Sequence, residues 1–458
     1  MEFSIGALSF LAVVINIIFL VMACRYSVGS TFIFSVLQLS FCFIFIVPRI
    51  VNFIFFPESV YLLYSTKQYF YNSQIVTDSF VAKALMINLI GMAGACAGFT
   101  VGSKFFAKKT CNLCYAPKYP SFNIWITFFS IILILRSDGL LAAIHSGLNL
   151  NNFIEAHNFV VLIGILTNPE VFLMLMVLPL IQETKYFNEN LWKVILVGSM
   201  YVAIKGLGGS RAGPLMLFIY FGIGTLFFLD NAALNKKKFV LFMIATSFLG
   251  LSSYEWATNN RLDAELSIPK KQVLEVHEKY VVNPFNRLGA YTDALIVTSN
   301  YRGNEKVAAE YLTLSYALKS AINISLPGQY FDCCMVNSSI ASNFIFSNKD
   351  VSMLEGGEVS ETGLYSFFGL AFYKTGYIGL VVTAVSGAFL FALGLSFIRS
   401  RESLQPFLVV FVSLTYFQGM QMIGVDAFLA DFVKFTFAAL FLYFTIVLAS
   451  NIFSNNKT

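Results

Sequence analysis

The residue pattern belongs to an all-α polytopic membrane protein with about eleven transmembrane helices and one large water-facing loop. Three observations lead to that fold class. Of the 458 residues, 57% are hydrophobic and only 12% are charged, about half the charged share of a soluble domain; the mean hydropathy is +0.72. Many apolar runs reach the roughly 20 residues that a helix needs to cross a hydrocarbon core. Between them lies one polar stretch, from Thr258 to Gly363, whose charges and backbone groups would go unsatisfied in lipid.

In chain order, the apolar runs fall at 4–24, 30–55, 80–102, 121–136, 159–181, 191–207, 213–230, 239–257, 377–397, 404–424 and 427–450. The first lacks a basic leading segment and a small-residue cleavage site, so it reads as a retained span. Residues 1–257 hold eight spans with short connectors, 258–376 form the large loop with amphipathic helices, and 377–458 hold three more spans. No internal repeat of the solenoid or inverted-transporter kind is evident.

Charge orients the spans. Lys104, Lys108, Lys109 and Lys118 share one connector, Lys236, Lys237 and Lys238 another, and Arg399 and Arg401 follow the ninth span. If the spans alternate, all three connectors fall on one side, and the excess of cations places that side in the cytoplasm. The large loop, the segment from Arg136 to Asn158 and the turn from Gly206 to Gly213 then share the opposite side, together with the N-terminus.

Several cations on that opposite side run against the rule. Arg136 ends the fourth span, and Lys205 and Arg211 bracket the turn Lys205-Gly-Leu-Gly-Gly-Ser210-Arg211. Glycines let a backbone approach a ligand closely, and N–H groups at the start of the next helix favour an anion. Two readings stand: a clamp for a diphosphate, or cations snorkelling to lipid headgroups. Arg49, after Pro48, leans to the second. Asp426 and Asp431 flank the last turn on this side, with Lys434 three residues beyond Asp431; that spacing allows an ion pair along a helix.

The large loop carries Asn283-Pro-Phe-Asn-Arg287, then a helix-compatible stretch from Glu305 to Ala321 able to lie along a membrane surface, then Leu326-Pro-Gly328. It leaves through Glu358-Val-Ser-Glu361-Thr-Gly-Leu-Tyr365-Ser-Phe-Phe. Acidic groups running straight into an aromatic stretch can be desolvated, which raises a carboxylate toward the range useful for a base. Glu361 is the leading candidate base, against a plain helix-start role, and His145 on the Arg136 loop is the second. Arg287 reads as a substrate contact or a structural ion pair.

Other chemistries find no support. His145, His157 and His277 are far apart and lack metal-ligand spacing, and the Cys111-x-x-Cys114 pair has no second pair to complete a zinc site. Nucleotide-binding glycine loops and the Gly-x-Ser-x-Gly elbow are missing. Lys and Arg do not gather beside aromatic platforms as nucleic-acid binding needs. The expectation is an enzyme or carrier site without metal, cofactor or nucleic acid.

At the loop exit, Glu358-Val-Ser-Glu361-Thr-Gly-Leu-Tyr365-Ser-Phe-Phe-Gly-Leu-Ala-Phe-Tyr-Lys-Thr-Gly376-Tyr-Ile-Gly379 resembles the aromatic stretch and Gly-Tyr-x-Gly pattern of bacterial O-antigen polymerases, the Wzy family. The Gly-Gly-Ser210-Arg211 turn and the Arg136-to-Gly147 spacing are similar to features of that family, whereas no arginine of the large loop has a glycine at the same spacing. The resemblance implies a GT-C-like fold in the bacterial inner membrane and a site facing the periplasm. It implies a glycosyltransferase that joins oligosaccharide repeat units on undecaprenyl diphosphate, alongside membrane lipids and a chain-length co-polymerase. It implies Arg211, Lys205 and Arg136 on the diphosphate, Arg287, Tyr365 and Ser210 on the substrate, and Glu361 or His145 at the acceptor hydroxyl. An O-antigen ligase shares this architecture and donor. A lipid-linked oligosaccharide flippase would instead line several spans with polar residues and keep its loops short, and a scaffold role would leave the clustered charges unexplained.

Overall fold

The computed structural model describes residues 7–26, 77–106, 122–135, 166, 168, 170–172, 174–175, 295–300, 305–326, 330–331, 367–401, 404, 407–412 and 425–455. Their regular structure is entirely helical: α1 (Ala7–Tyr26), α2 (Asp78–Phe106), α3 (Phe122–Leu135), α4 (Glu305–Tyr311), α5 (Leu314–Ser325), α6 (Phe367–Ser400), α7 (Leu408–Val412) and α8 (Val425–Asn455). Among the described residues, three stretches are long and apolar enough to cross a membrane: Asp78–Lys104, Phe368–Ile398 and Phe432–Ala449. In lipid a helix satisfies its own backbone, so these stretches make the chain a helical membrane protein. Of the predicted spans, 30–55, 191–207, 213–230 and 239–257 lie outside the described residues.

Helix α2 forms because its sequence offers a cap and then no interruption. The Thr77 carbonyl accepts from the Phe80 and Val81 amides at 3.0 and 3.2 Å, and the helix runs from there to Phe106. Its inner face is unusually bare: Gly94, Gly98 and Gly102 recur every four residues, and so share one side. Against them, α6 sets Ala384, Ala388 and Ala392, all buried. A β-carbon on Gly94 would sit 3.2 Å from Ala384, one on Gly102 would sit 2.7 Å from Ala392, and one on Gly98 would collide with the Val385 backbone carbonyl. Small residues at this spacing let two backbones touch, which is how helices gain packing where lipid supplies no hydrophobic drive.

These contacts also fix direction. Val381, Val385 and Phe389 of α6 meet Gly94, Gly98 and Gly102 in rising order, so the two helices are parallel. Helix α1 is parallel to α2 as well: Ser9 meets Asp78, and seven residues on in each helix the Asn16 side chain donates to the Leu85 carbonyl at 3.1 Å. The C-terminal ends of all three therefore share one end of the bundle, and those ends carry Arg25, Lys104 and Arg401. Parallel spans require an odd number of crossings in the chain between them. One predicted span separates α1 from α2, and five separate α2 from α6.

Helix α6 begins ten residues before the predicted span at 377–397, and Gly376 marks the difference. There the backbone takes φ 66° and ψ −156°, a region essentially reserved for glycine. Before the bend, Phe368 lies on Gly91 and Phe372 reaches Lys83, so the leading segment lies across α2 and back toward its start. After the bend the helix runs with α2. Thr375 packs against Gly379 across the turn.

The predicted helix from Glu305 to Ala321 is two helices. Thr313 adopts extended backbone and its side chain accepts from the Tyr316 amide, capping α5 and ending α4 at Tyr311. A threonine hydroxyl at that position competes with the continuing helix for the same amide. Helix α5 packs against α8. At its far end Asn323, buried, holds the chain after Pro327-Gly328: its Oδ1 accepts from the Tyr330 and Phe331 amides at 3.0 and 3.1 Å, and its Nδ2 donates to the Phe331 carbonyl at 3.0 Å. The far side of α8 leaves Phe437, Phe441, Phe444, Leu448 and Ile452 exposed, a stripe suited to lipid.

Candidate functional site

The starts of α1 and α2 come together at one end of the bundle, and the leading segment of α6 reaches that end through Phe372. Asp78 organises this end. It stands at the first position of α2 with 6% exposure. Its carboxylate also caps α1: Oδ2 accepts from the Leu8 amide at 3.2 Å, Oδ1 accepts from the Ser9 amide at 3.3 Å, and the Ser9 hydroxyl donates to Oδ1. One buried anion thus serves two helix N-termini, whose aligned peptide dipoles favour negative charge.

The polar region reaches the same end. Residues 295–299 are buried, and Asn300 next to them donates from Nδ2 to the Phe80 carbonyl at 3.0 Å while also bonding the Ile296 carbonyl at 2.9 Å. A segment that the sequence places in the water-facing loop is therefore anchored on the first turn of a membrane-spanning helix.

Beside this anchor lies Lys83, half-buried in the second turn of α2. Its Nζ stands 5.3 Å from the centre of the Phe372 ring. Phe372 in turn meets the Tyr377 ring edge-on at 4.9 Å across the Gly376 bend. Two further amides lie deeper on α1 and α2: Asn16 and Asn88 are fully buried, and each leaves its Oδ1 without a hydrogen bond among the described residues.

Of the residues singled out from the sequence, Arg211, Lys205, Ser210, Arg136, His145, Arg287, Glu361 and Tyr365 all lie outside the described residues, as does Arg49. Asp426, Asp431 and Lys434 fall on the first turns of α8. Among the described residues no group of three or more His, Cys, Asp or Glu is placed to hold a metal ion.

Sequence reasoning overlooked Lys83, Asp78 and Asn300. A single lysine inside an apolar run was a usable signal for the first, and an acidic residue at a helix start for the second. Asn300 carries no local signal, because its partner is distant in sequence. The chain is a helical membrane protein by its described architecture. It matches no protein-family model, no curated protein and no solved structure.

Proposed function

We propose that this protein is an O-antigen polymerase of the inner membrane, a glycosyltransferase acting at the periplasmic face on oligosaccharide repeat units linked to undecaprenyl diphosphate. The observation that supports it best is the loop exit. The Gly376-Tyr-Ile-Gly379 motif that resembles the family's coincides with the glycine-only bend of α6, and that bend sets aromatic rings beside a lysine where the polar loop meets the spans.

In this reading the growing chain is the donor. The acceptor hydroxyl of a newly arrived unit attacks the anomeric carbon of the chain, the bond from that carbon to the diphosphate oxygen breaks, and undecaprenyl diphosphate leaves. The hydroxyl proton passes to Glu361, with His145 as the alternative acceptor. Arg211, Lys205 and Arg136 bear the charge that grows on the departing diphosphate; fixed cations in a water-poor site supply the main electrostatic term in such transfers. Arg287, Tyr365 and Ser210 orient the sugars. The leaving group is already activated, so no nucleotide enters the reaction.

A ligase would use the same donor but deliver it to a lipid core, and a flippase would perform no transfer. Deleting the gene and resolving surface polysaccharide on a gel separates polymerase from the other two. Caps of a single repeat unit are the expected result. Complete loss of the polysaccharide points instead to ligase or flippase and rejects polymerase. In the complemented strain, Arg211→Ala should abolish the ladder while the protein stays in the membrane, and an unchanged ladder removes Arg211 from the diphosphate.

A further inference from the structure

We propose that Lys83, backed by Phe372, binds the phosphate of a membrane-anchored lipid whose hydrocarbon chain runs along α6. Lys83 lies within the apolar stretch Asp78–Lys104. An ammonium there needs a counter-charge or a path to water. No carboxylate among the described residues pairs with it. Asp78, five residues earlier on the same helix, is committed to the α1 N-terminus. What Lys83 does have is the Phe372 ring, and a cation–π contact attracts the ammonium without neutralising it.

The surroundings indicate what completes the charge. A β-carbon on Gly376, one turn beyond Phe372, would meet no described residue within 4 Å, so among the described residues space stands open beside the bend. Just past it Ile378 is 81% exposed and Val382 is 60% exposed, forming an apolar strip along the outside of α6. Lys374, also exposed, adds a second cation on the leading segment. A cation at the mouth of an apolar strip suits a ligand with an anionic head and a hydrocarbon tail. A polyprenyl diphosphate and a bulk anionic phospholipid share that chemistry. Assigning the site to the polyprenyl carrier rests on the polymerase reading; the phosphate site does not.

The test uses the full-length protein in phosphatidylcholine nanodiscs, titrated with undecaprenyl diphosphate, with phosphatidylglycerol and with undecaprenol, which has no phosphate. Lys83→Gln is expected to weaken binding of the phosphate lipids about tenfold, Lys83→Arg to retain it, and undecaprenol to bind poorly throughout. On the wild-type protein, amine-reactive labelling of Lys83 read by mass spectrometry should be suppressed by the phosphate lipids alone, a readout that needs no variant to fold. Equal binding by Lys83→Gln, equal binding of undecaprenol, or unprotected Lys83 overturns the proposal. Preference for undecaprenyl diphosphate supports the carrier assignment. Equal, Lys83-dependent binding of phosphatidylglycerol supports the phosphate site and rejects that assignment. Neither result bears on the gene-deletion gel, which alone decides the polymerase reading.

Discussion

The backbone carbonyl of Val385 occupies the place where a β-carbon on Gly98 would stand. Two membrane-spanning helices therefore meet backbone to backbone at that level, and the contact tolerates no side chain at all. Packing of this kind is close-range dispersion summed over many atoms, and it weakens sharply when the helices are wedged apart.

Gly98→Ala should accordingly destabilise the protein by about 1–3 kcal/mol, the usual range for overpacking a tight contact. Gly387 is the control. It lies on the same helix pair, but an added β-carbon there meets no described residue within 4 Å, and alanine is the better helix former by about 1 kcal/mol. Thermal unfolding of the purified variants should show a lower midpoint for Gly98→Ala and no loss for Gly387→Ala. Equal shifts for both would contradict the packing assigned to Gly98.

Gly376 presents the opposite case, a glycine required by conformation and not by space. No described residue crowds it, yet its φ of 66° and ψ of −156° exclude ordinary side chains. Gly376→Ala should cost about 1–3 kcal/mol and change the angle between the leading segment and the rest of α6. Two labels on the leading segment and on α2, measured by electron paramagnetic resonance, would report it. An unaltered distance distribution would mean that the bend is set by packing alone.

Asp78 joins α1 to α2 through hydrogen bonds that only a short acceptor can make. Asp78→Ala leaves the Leu8 and Ser9 amides unmet and should destabilise the protein by about 1–3 kcal/mol. Asp78→Asn keeps one acceptor oxygen but loses the charge favoured at both helix starts, so its penalty should be smaller. Amide hydrogen exchange in the first turn of α1 should quicken in the order wild type, Asp78→Asn, Asp78→Ala. Unchanged exchange in Asp78→Ala would show that α1 holds its start without this cap.

Part of this was legible in advance. The predicted spans at 80–102, 377–397 and 427–450 coincide with the long apolar stretches of α2, α6 and α8 because an apolar run above a threshold length has one stable form in lipid, and those at 4–24 and 121–136 fall on the helices α1 and α3. The boundary drawn before Tyr377 coincides with the Gly376 bend, since glycines flanking an aromatic residue mark a change of backbone. The Glu305–Ala321 stretch was helical in pattern but broke at Thr313, where one hydroxyl outweighed the continuing periodicity. Gly94, Gly98 and Gly102 stand four apart in the sequence, but small residues at that spacing do not name the helix they pack against.

Hydropathy and charge, which act residue by residue, determined that this chain enters a membrane as helices, and they predict that a long polar segment stays outside the lipid. Which helices touch, and which cation has no carboxylate beside it among the described residues, came only with the tertiary structure. Asp78 and Ser9 are separated by 69 residues, and Asn300 and Phe80 by 220. Pairings at such distances along the chain depend on how whole helices pack, and no local pattern of residues encodes that choice.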